Sequence, residues 1–174
     1  MIKRFKAIAL VLGAAALVAV LYKPVAVLIF HIREPKFICP IEYNDEMRLR
    51  NDGYGDGAFG AKRNNGRLHL GIDLQAPVGT PVRAAKSGKA FAKTNAGMGK
   101  YIVIQHIDGT KTLYGHLSKM FVVNGEPVRR GDIIGEAGKT GNAWNPCMLP
   151  HLHFEIRIGE DPVDPLAGYM QFGK

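Results

Sequence analysis

From Leu68 to Ile158 the chain runs in short apolar stretches, some alternating with period two, separated by turns containing glycine, proline or asparagine. Such a chain cannot build amphipathic helices, whose apolar residues recur every three or four positions, and it is restricted to strands. Leu68-His-Leu-Gly-Ile-Asp-Leu74 alternates in this way and predicts a strand. Lys100 to His106 is the densest β signal, and Asp108-Gly109-Thr110 turns it into Lys111 to His116 as a hairpin. Pro77 to Pro81 reads as a turn, Val82 to Ala85 as extended chain and Lys89 to Lys93 as a strand. Pro127–Gly135 and Gly138–Gly141 are turn, strand and turn, and His151 to Ile158 is the last strong strand. Only Ser118 to Val122 offers a helical turn. The expectation is a mainly β domain built on an antiparallel sheet.

The beginning of the chain is different. Lys3, Arg4 and Lys6 precede an uninterrupted apolar run from Ala7 to Tyr22, and after Lys23-Pro24 the run resumes to Phe30. A helix of about 20 apolar residues crosses a bilayer. The cationic start places the N-terminus in the cytoplasm and the domain outside, although His31, Arg33 and Lys36 blur that asymmetry. The competing reading is a cleaved signal peptide. Its small residues, Ala14 to Ala16, sit in the middle of the run rather than after it. The expected order is a basic stub at 1–6, a single-pass anchor at 7–30 in the inner membrane, an irregular polar approach at 31–54 and one domain at 55–174. Localisation follows as cell membrane with a periplasmic or extracellular domain, or secretion if the segment is cleaved. Cys39 and Cys147 can pair in an oxidising compartment or stay as separate thiols.

The formal net charge of +8 favours anionic partners. Lysine and arginine are scattered, without a basic helix or an aromatic-basic motif, so a nucleic-acid role is not expected. An anionic cell envelope suits the charge equally well.

The chemistry is concentrated in the histidines. His69 and Asp73 are four apart and His151 and His153 two apart, so on strands each pair shares a face. Two such strands side by side bring imidazole and carboxylate donors to one place. A catalytic zinc takes three protein ligands of these types and keeps one position open. Three of the four groups meet that count, and the histidine left over can move a proton. Either pair alone is a common accident of sequence. Two pairs in one β domain of this size are not.

Five ordered motifs carry a family resemblance: Phe59-Gly-Ala-Lys-Arg63, Gly66-Arg-Leu-His-Leu-Gly-Ile-Asp73, Tyr114-Gly-His-Leu117, Gly138-Lys-Thr-Gly141 and Pro150-His-Leu-His-Phe-Glu155. Over roughly residues 55–166 the chain resembles the lysostaphin-type (LytM-like) peptidoglycan metallopeptidases. The resemblance implies a β-sheet groove domain with one catalytic Zn2+ that hydrolyses peptide cross-links of bacterial peptidoglycan. Carried over position by position, the metal ligands are His69, Asp73 and His153, and the catalytic histidines are His116 and His151. On this reading His151 accepts the proton of the water and His116 hydrogen-bonds the oxyanion, with the two roles open to exchange. The alternative within the family is a silent domain that activates another wall hydrolase, against which the complete ligand set argues.

Four further residues have open roles. Arg63 either binds a substrate carboxylate, which favours D-Ala to diaminopimelate cross-links, or makes a surface ion pair. Trp144, in the long apolar segment Asn142 to Leu149, is a substrate platform or a packing anchor. Glu155 shares the His153 face and either orients that ligand or is solvated. His106 lies on the face of Ile102 and Ile104 and reads as structural.

Overall fold

The computed structural model describes residues 2–63 and 66–171, with side chains from residue 18 onward. It divides into two units, Met1–Pro35 and Lys36–Lys174. The first is a single helix, Ile2–Arg33, with Pro24 inside it. Much of the span expected at 7–30 falls on residues 7–17, whose side chains lie outside the described residues. Among the described residues no helix is long and apolar enough to cross a membrane.

The second unit is built from short strands, as the alternation requires. In chain order they are β1 (Phe37–Ile38), β2 (Asn51–Asp52), β3 (Gly55–Asp56), β4 (Ile72–Gln75), β5 (Pro81–Arg83), β6 (Gly88–Asn95) and β7 (Gly99–Gln105). Then come β8 (Thr110–Leu117), β9 (Lys119–Met120), β10 (Glu126–Val128), β11 (Ile133–Glu136), β12 (His151–Ile158), β13 (Asp161–Val163) and β14 (Met170–Gln171). The main sheet runs β10-β6-β7-β8-β12-β13, with β4 also paired to β12, and all its pairings are antiparallel. A second sheet runs β5-β11-β9, and β1 pairs with β14 in parallel.

Strand β12 separates the core from the site. Its even residues, Leu152, Phe154 and Ile156, are fully buried with Ile72 and Leu74 of β4, Ile102 and Ile104 of β7 and Tyr114 of β8. Burial of each such side chain contributes about 1.5–3 kcal/mol. Its odd residues, His151, His153 and Glu155, are also buried, on the opposite face. An apolar face thus anchors the strand while a polar face carries chemistry. His106 is structural as expected: its ring nitrogens bond the Ser87 carbonyl at 2.9 Å and the Thr112 hydroxyl at 3.0 Å.

Several expectations are corrected. The strand foreseen at 68–74 is confined to Ile72–Gln75, because Leu68 and Leu70 have no core to face and are exposed. Ser118–Val122 is not a helical turn; Lys119–Met120 is recruited as an edge strand against β11. The described helical turn in that half of the chain is Gly141–Ala143. The approach segment is structured from residue 37. Phe37 and Ile41 are buried in the core, and Arg48 to Arg50 runs along the free edge of β4 through Arg50 N–H to the Asp73 carbonyl and Gln75 N–H to the Arg48 carbonyl. Its polar composition concealed this because the bonds are made by the backbone. Cys39 and Cys147 are both free, the first half-buried and the second exposed.

Gly71 shows how tightly β4 must lie on β12. A methyl group there would meet the Phe154 carbonyl oxygen at 2.3 Å. Gly71→Ala is expected to destabilise the domain by at least about 1–3 kcal/mol, read as a lower midpoint of thermal unfolding.

Candidate metal centre and catalytic cleft

Register brings the two halves of the pattern together. On β12, His153 lies directly opposite Asp73 of β4 on one side and Gly115 of β8 on the other. Gly115 is small enough to leave the His153 side room; a methyl there would touch Met98 and the Cβ of His153 at 3.1 and 3.3 Å. His69 precedes β4 on an irregular stretch and reaches the same point. Its Nε2 is 2.9 Å from His153 Nδ1 and 3.0 Å from Asp73 Oδ1, and His153 Nδ1 is 2.9 Å from the same oxygen. His69, Asp73 and His153, all buried, form a group able to hold a metal ion.

The donor set fits zinc. Ligands at about 2.0–2.1 Å in a tetrahedral array stand about 3.3–3.4 Å from each other, so these three atoms need to spread by only a few tenths of an ångström. Each ring is also oriented for the task. A carbonyl can only accept, so the contact of His69 Nδ1 with the Ala58 carbonyl at 2.8 Å puts the proton on Nδ1 and leaves Nε2 bare towards the centre. His153 is reversed: Nδ1 faces the centre and Nε2 meets Glu155 Oε1 at 2.9 Å. Glu155 is held in turn by Arg157 Nε at 2.7 Å. Glu155 therefore orients the His153 ring and is buried rather than solvated.

Two carboxylates and one imidazole set the charge here. Burial alone would lower the His153 pKa, but its hydrogen bonds to Asp73 and Glu155 outweigh that and raise it to about 9. Burial pushes the carboxyl of Asp73 up, and its bonds from His153 and His69 hold it well below the usual range. The two carboxylates thus favour a positive charge at this point, which a metal cation bound by the same imidazole would supply in place of the proton.

The next two histidines lie beside this group. His151 Nδ1 donates to the Leu149 carbonyl at 2.8 Å, and its Nε2 is 3.9 Å from Asp73 Oδ1. His116 Nδ1 donates to the Thr140 carbonyl at 2.9 Å. Their ring centroids are 5.0 Å apart, and His116 is 5.8 Å from the His153 ring. Burial lowers both pKa values, that of His116 to about 3 with added repulsion from His151 and His153. Both are neutral at working pH, each with a bare Nε2. His116 has φ 61°, the left-handed region, at a point where the β7–β8 register shifts by one residue. A bulge of this kind re-aims a side chain, and here it takes His116 out of the ladder.

Arg63 and Trp144 differ in their placement. Arg63 NH2 lies 3.0 Å from Asp73 Oδ2 and its NH1 2.6 Å from the Asp56 carbonyl. It forms a part-buried ion pair rather than a surface one, and its side chain also lines the cleft. Trp144 is 72 % exposed and is not among the residues lining the cleft; the Gly141–Ala143 turn directs Asn142 there instead. Sequence reasoning missed Arg50. It is buried, with Nε and NH2 at 3.3 and 3.0 Å from Asp73 Oδ2 and NH1 at 2.6 Å from Asp52 Oδ1. The only available signal was the alternation of charge in Arg50-Asn-Asp52, which is common on surfaces. The cleft above the group has a volume of about 710 Å³ and is walled by Tyr54, Arg67, Leu68, Leu70, Met98 and Met148 among others.

Residues 67–165 match the family described as Peptidase family M23. A protein of Neisseria meningitidis named DD-carboxypeptidase/endopeptidase Mpg is 45 % identical over 102 residues, 58 % of this chain and 23 % of that protein. The chain thus spans about a quarter of the length of such curated relatives. Among solved structures, a zinc-containing peptidase from Vibrio cholerae has a TM-score of 0.63 at 33 % identity, covering 78 % of this chain and 41 % of that one. The catalytic domain of lysostaphin from Staphylococcus simulans has a TM-score of 0.55 at 34 % identity, covering 70 % of this chain and 96 % of that one.

Because a metal must displace the proton from His153 Nδ1, uptake is expected to release a proton. Apparent zinc affinity should therefore rise about tenfold per pH unit up to about 9, where the His153 pKa lies. Competition titrations against a chelator at several pH values measure it.

Proposed function

This chain belongs to Peptidase family M23, and from that membership we propose that it is a zinc-dependent endopeptidase that hydrolyses peptide cross-links of bacterial peptidoglycan. One observation carries the proposal: three buried ligand atoms converge beside two neutral histidines on the floor of an open cleft. His69, Asp73 and His153 would hold one Zn2+. When bound there, zinc lowers the pKa of a water towards neutrality and polarises an amide carbonyl.

The other work falls to the chain's own side chains. His151 and His116 each turn a lone pair to the cleft, so either can accept the proton of the attacking water and return it to the leaving amine as the C–N bond breaks. A neutral Nδ1–H imidazole has no proton at Nε2 to offer an oxyanion. The role of oxyanion donor therefore passes to whichever histidine has just taken up the proton, so the two roles exchange between His116 and His151. Glu155 and Ala58 keep the two ligand imidazoles facing the centre. Arg50 and Arg63 occupy Asp73 Oδ2 and leave Oδ1 to the centre.

Arg63 lines the cleft, but its contact with Asp73 does not by itself point to a substrate carboxylate. Support for D,D cross-links comes instead from the names of the relatives, such as the Neisseria DD-carboxypeptidase/endopeptidase. We also propose that the N-terminal helix anchors the protein in the membrane with residues 55–174 outside the cytoplasm. The exposed apolar side chains Val18, Tyr22, Leu28 and Ile32 support a lipid-facing surface.

The test uses the full-length protein, purified peptidoglycan and analysis of released muropeptides, with and without a chelator. Chelator-sensitive cleavage is expected, and its absence contradicts the proposal. His69→Ala should lose both metal and turnover. His151→Ala should keep the metal and lose about 10²–10⁴-fold in rate; a rate equal to the unaltered protein rejects its role.

A further inference from the structure

The motif Gly138-Lys-Thr-Gly141 supplies neither a metal ligand nor a proton acceptor. We propose that Thr140 is a positioning residue for His116, its carbonyl setting the imidazole tautomer and its hydroxyl holding that carbonyl in place. The inference rests on the reading of His116 as a proton acceptor.

His116 needs such a device because the bulge removes it from the regular ladder. Its backbone N–H leaves the ladder to donate to the Met98 carbonyl at 2.8 Å, so neighbouring strand pairs do not fix its ring. The Thr140 carbonyl takes the Nδ1 proton at 2.9 Å. The Thr140 hydroxyl in turn accepts from Lys100 N–H at 2.9 Å and donates to the Leu117 carbonyl at 2.9 Å. Lys100 and Leu117 are paired partners on β7 and β8 at the flank of the register shift. One hydroxyl therefore spans both strands at the bulge and sets the position of the acceptor for His116.

The glycines of the motif make the approach possible. A methyl on Gly141 (φ +67°) would stand 2.2 Å from Gly99 N, and one on Gly99 (φ +66°) would stand 2.3 Å from the Thr140 hydroxyl. A methyl on Gly138 would stand 2.8 Å from the His116 carbonyl. The segment lies on the bulge with no room for a side chain at these three points, and Thr140 is the residue between them that carries a polar group to both strands.

The experiment compares the full-length protein with Thr140→Val, which keeps the shape without the hydroxyl, and Thr140→Ser, which restores it. Long-range nitrogen–proton NMR reads the His116 tautomer directly. In the unaltered protein the Nδ1–H form is expected. Thr140→Val should retain its zinc content, show a mixture of His116 tautomers and lose about tenfold or more in turnover; Thr140→Ser should recover both. An Nε2–H tautomer in the unaltered protein overturns the proposal, as does a folded Thr140→Val with the tautomer and turnover unchanged. If Thr140→Val does not fold, the spectra of the unaltered protein and of Thr140→Ser decide. If the unaltered protein cleaves no peptidoglycan, the functional reading fails while the tautomer still tests this inference.

Discussion

The site depends on the register of one strand. β12 pairs on one side with β4 and on the other with β8, and in that register His153 faces Asp73 across one ladder and Gly115 across the other. Side chains alternate along a strand, so a slip of one residue would send His151, His153 and Glu155 into the core and Leu152, Phe154 and Ile156 into the cleft. The fully buried even residues make that slip prohibitive. The hydrophobic core thus sets where the imidazoles stand, and stability and chemistry share one constraint.

On that frame a graded polar shell is built outward. The inner atoms are His69 Nε2, Asp73 Oδ1 and His153 Nδ1. Each is held from behind, by the Ala58 carbonyl, by Arg50 and Arg63, and by Glu155 with Arg157. Every buried side-chain polar atom among the described residues finds a partner. A low-dielectric site with all its groups satisfied is stiff, and stiffness here means ligands that need little rearrangement to meet a cation. His116 and His151 are tied as His69 is, each by Nδ1 to a backbone carbonyl with its second nitrogen bare.

Much of this was legible in the residues. The apolar runs and the Asp108-Gly109 turn located β7, β8 and β12, and the spacing of His69, Asp73, His151 and His153 marked positions that the fold does bring together. What was not legible depends on contacts distant in sequence. Arg50 meets Asp73 across 23 residues, from a segment whose polar, glycine-rich composition reads as loop because its ordering comes from backbone bonds to β4. The contact of Arg63 with Asp73 Oδ2 is likewise visible only in space. Trp144 reads as a substrate platform or a packing anchor, but it is exposed and it is Asn142, in the turn at Gly141–Ala143, that lines the cleft. The strand around His69 was overcalled because alternation alone does not say whether a core lies beneath it.

The central claim is that two imidazoles and one carboxylate oxygen bind a single zinc ion. X-ray absorption at the zinc edge, on full-length protein carrying one equivalent of the metal, tests it most directly. The account predicts a four-coordinate centre with two imidazole nitrogens, oxygen in the remaining positions and no sulfur. A thiolate ligand, a single imidazole, or loss of the metal on simple dialysis would contradict it.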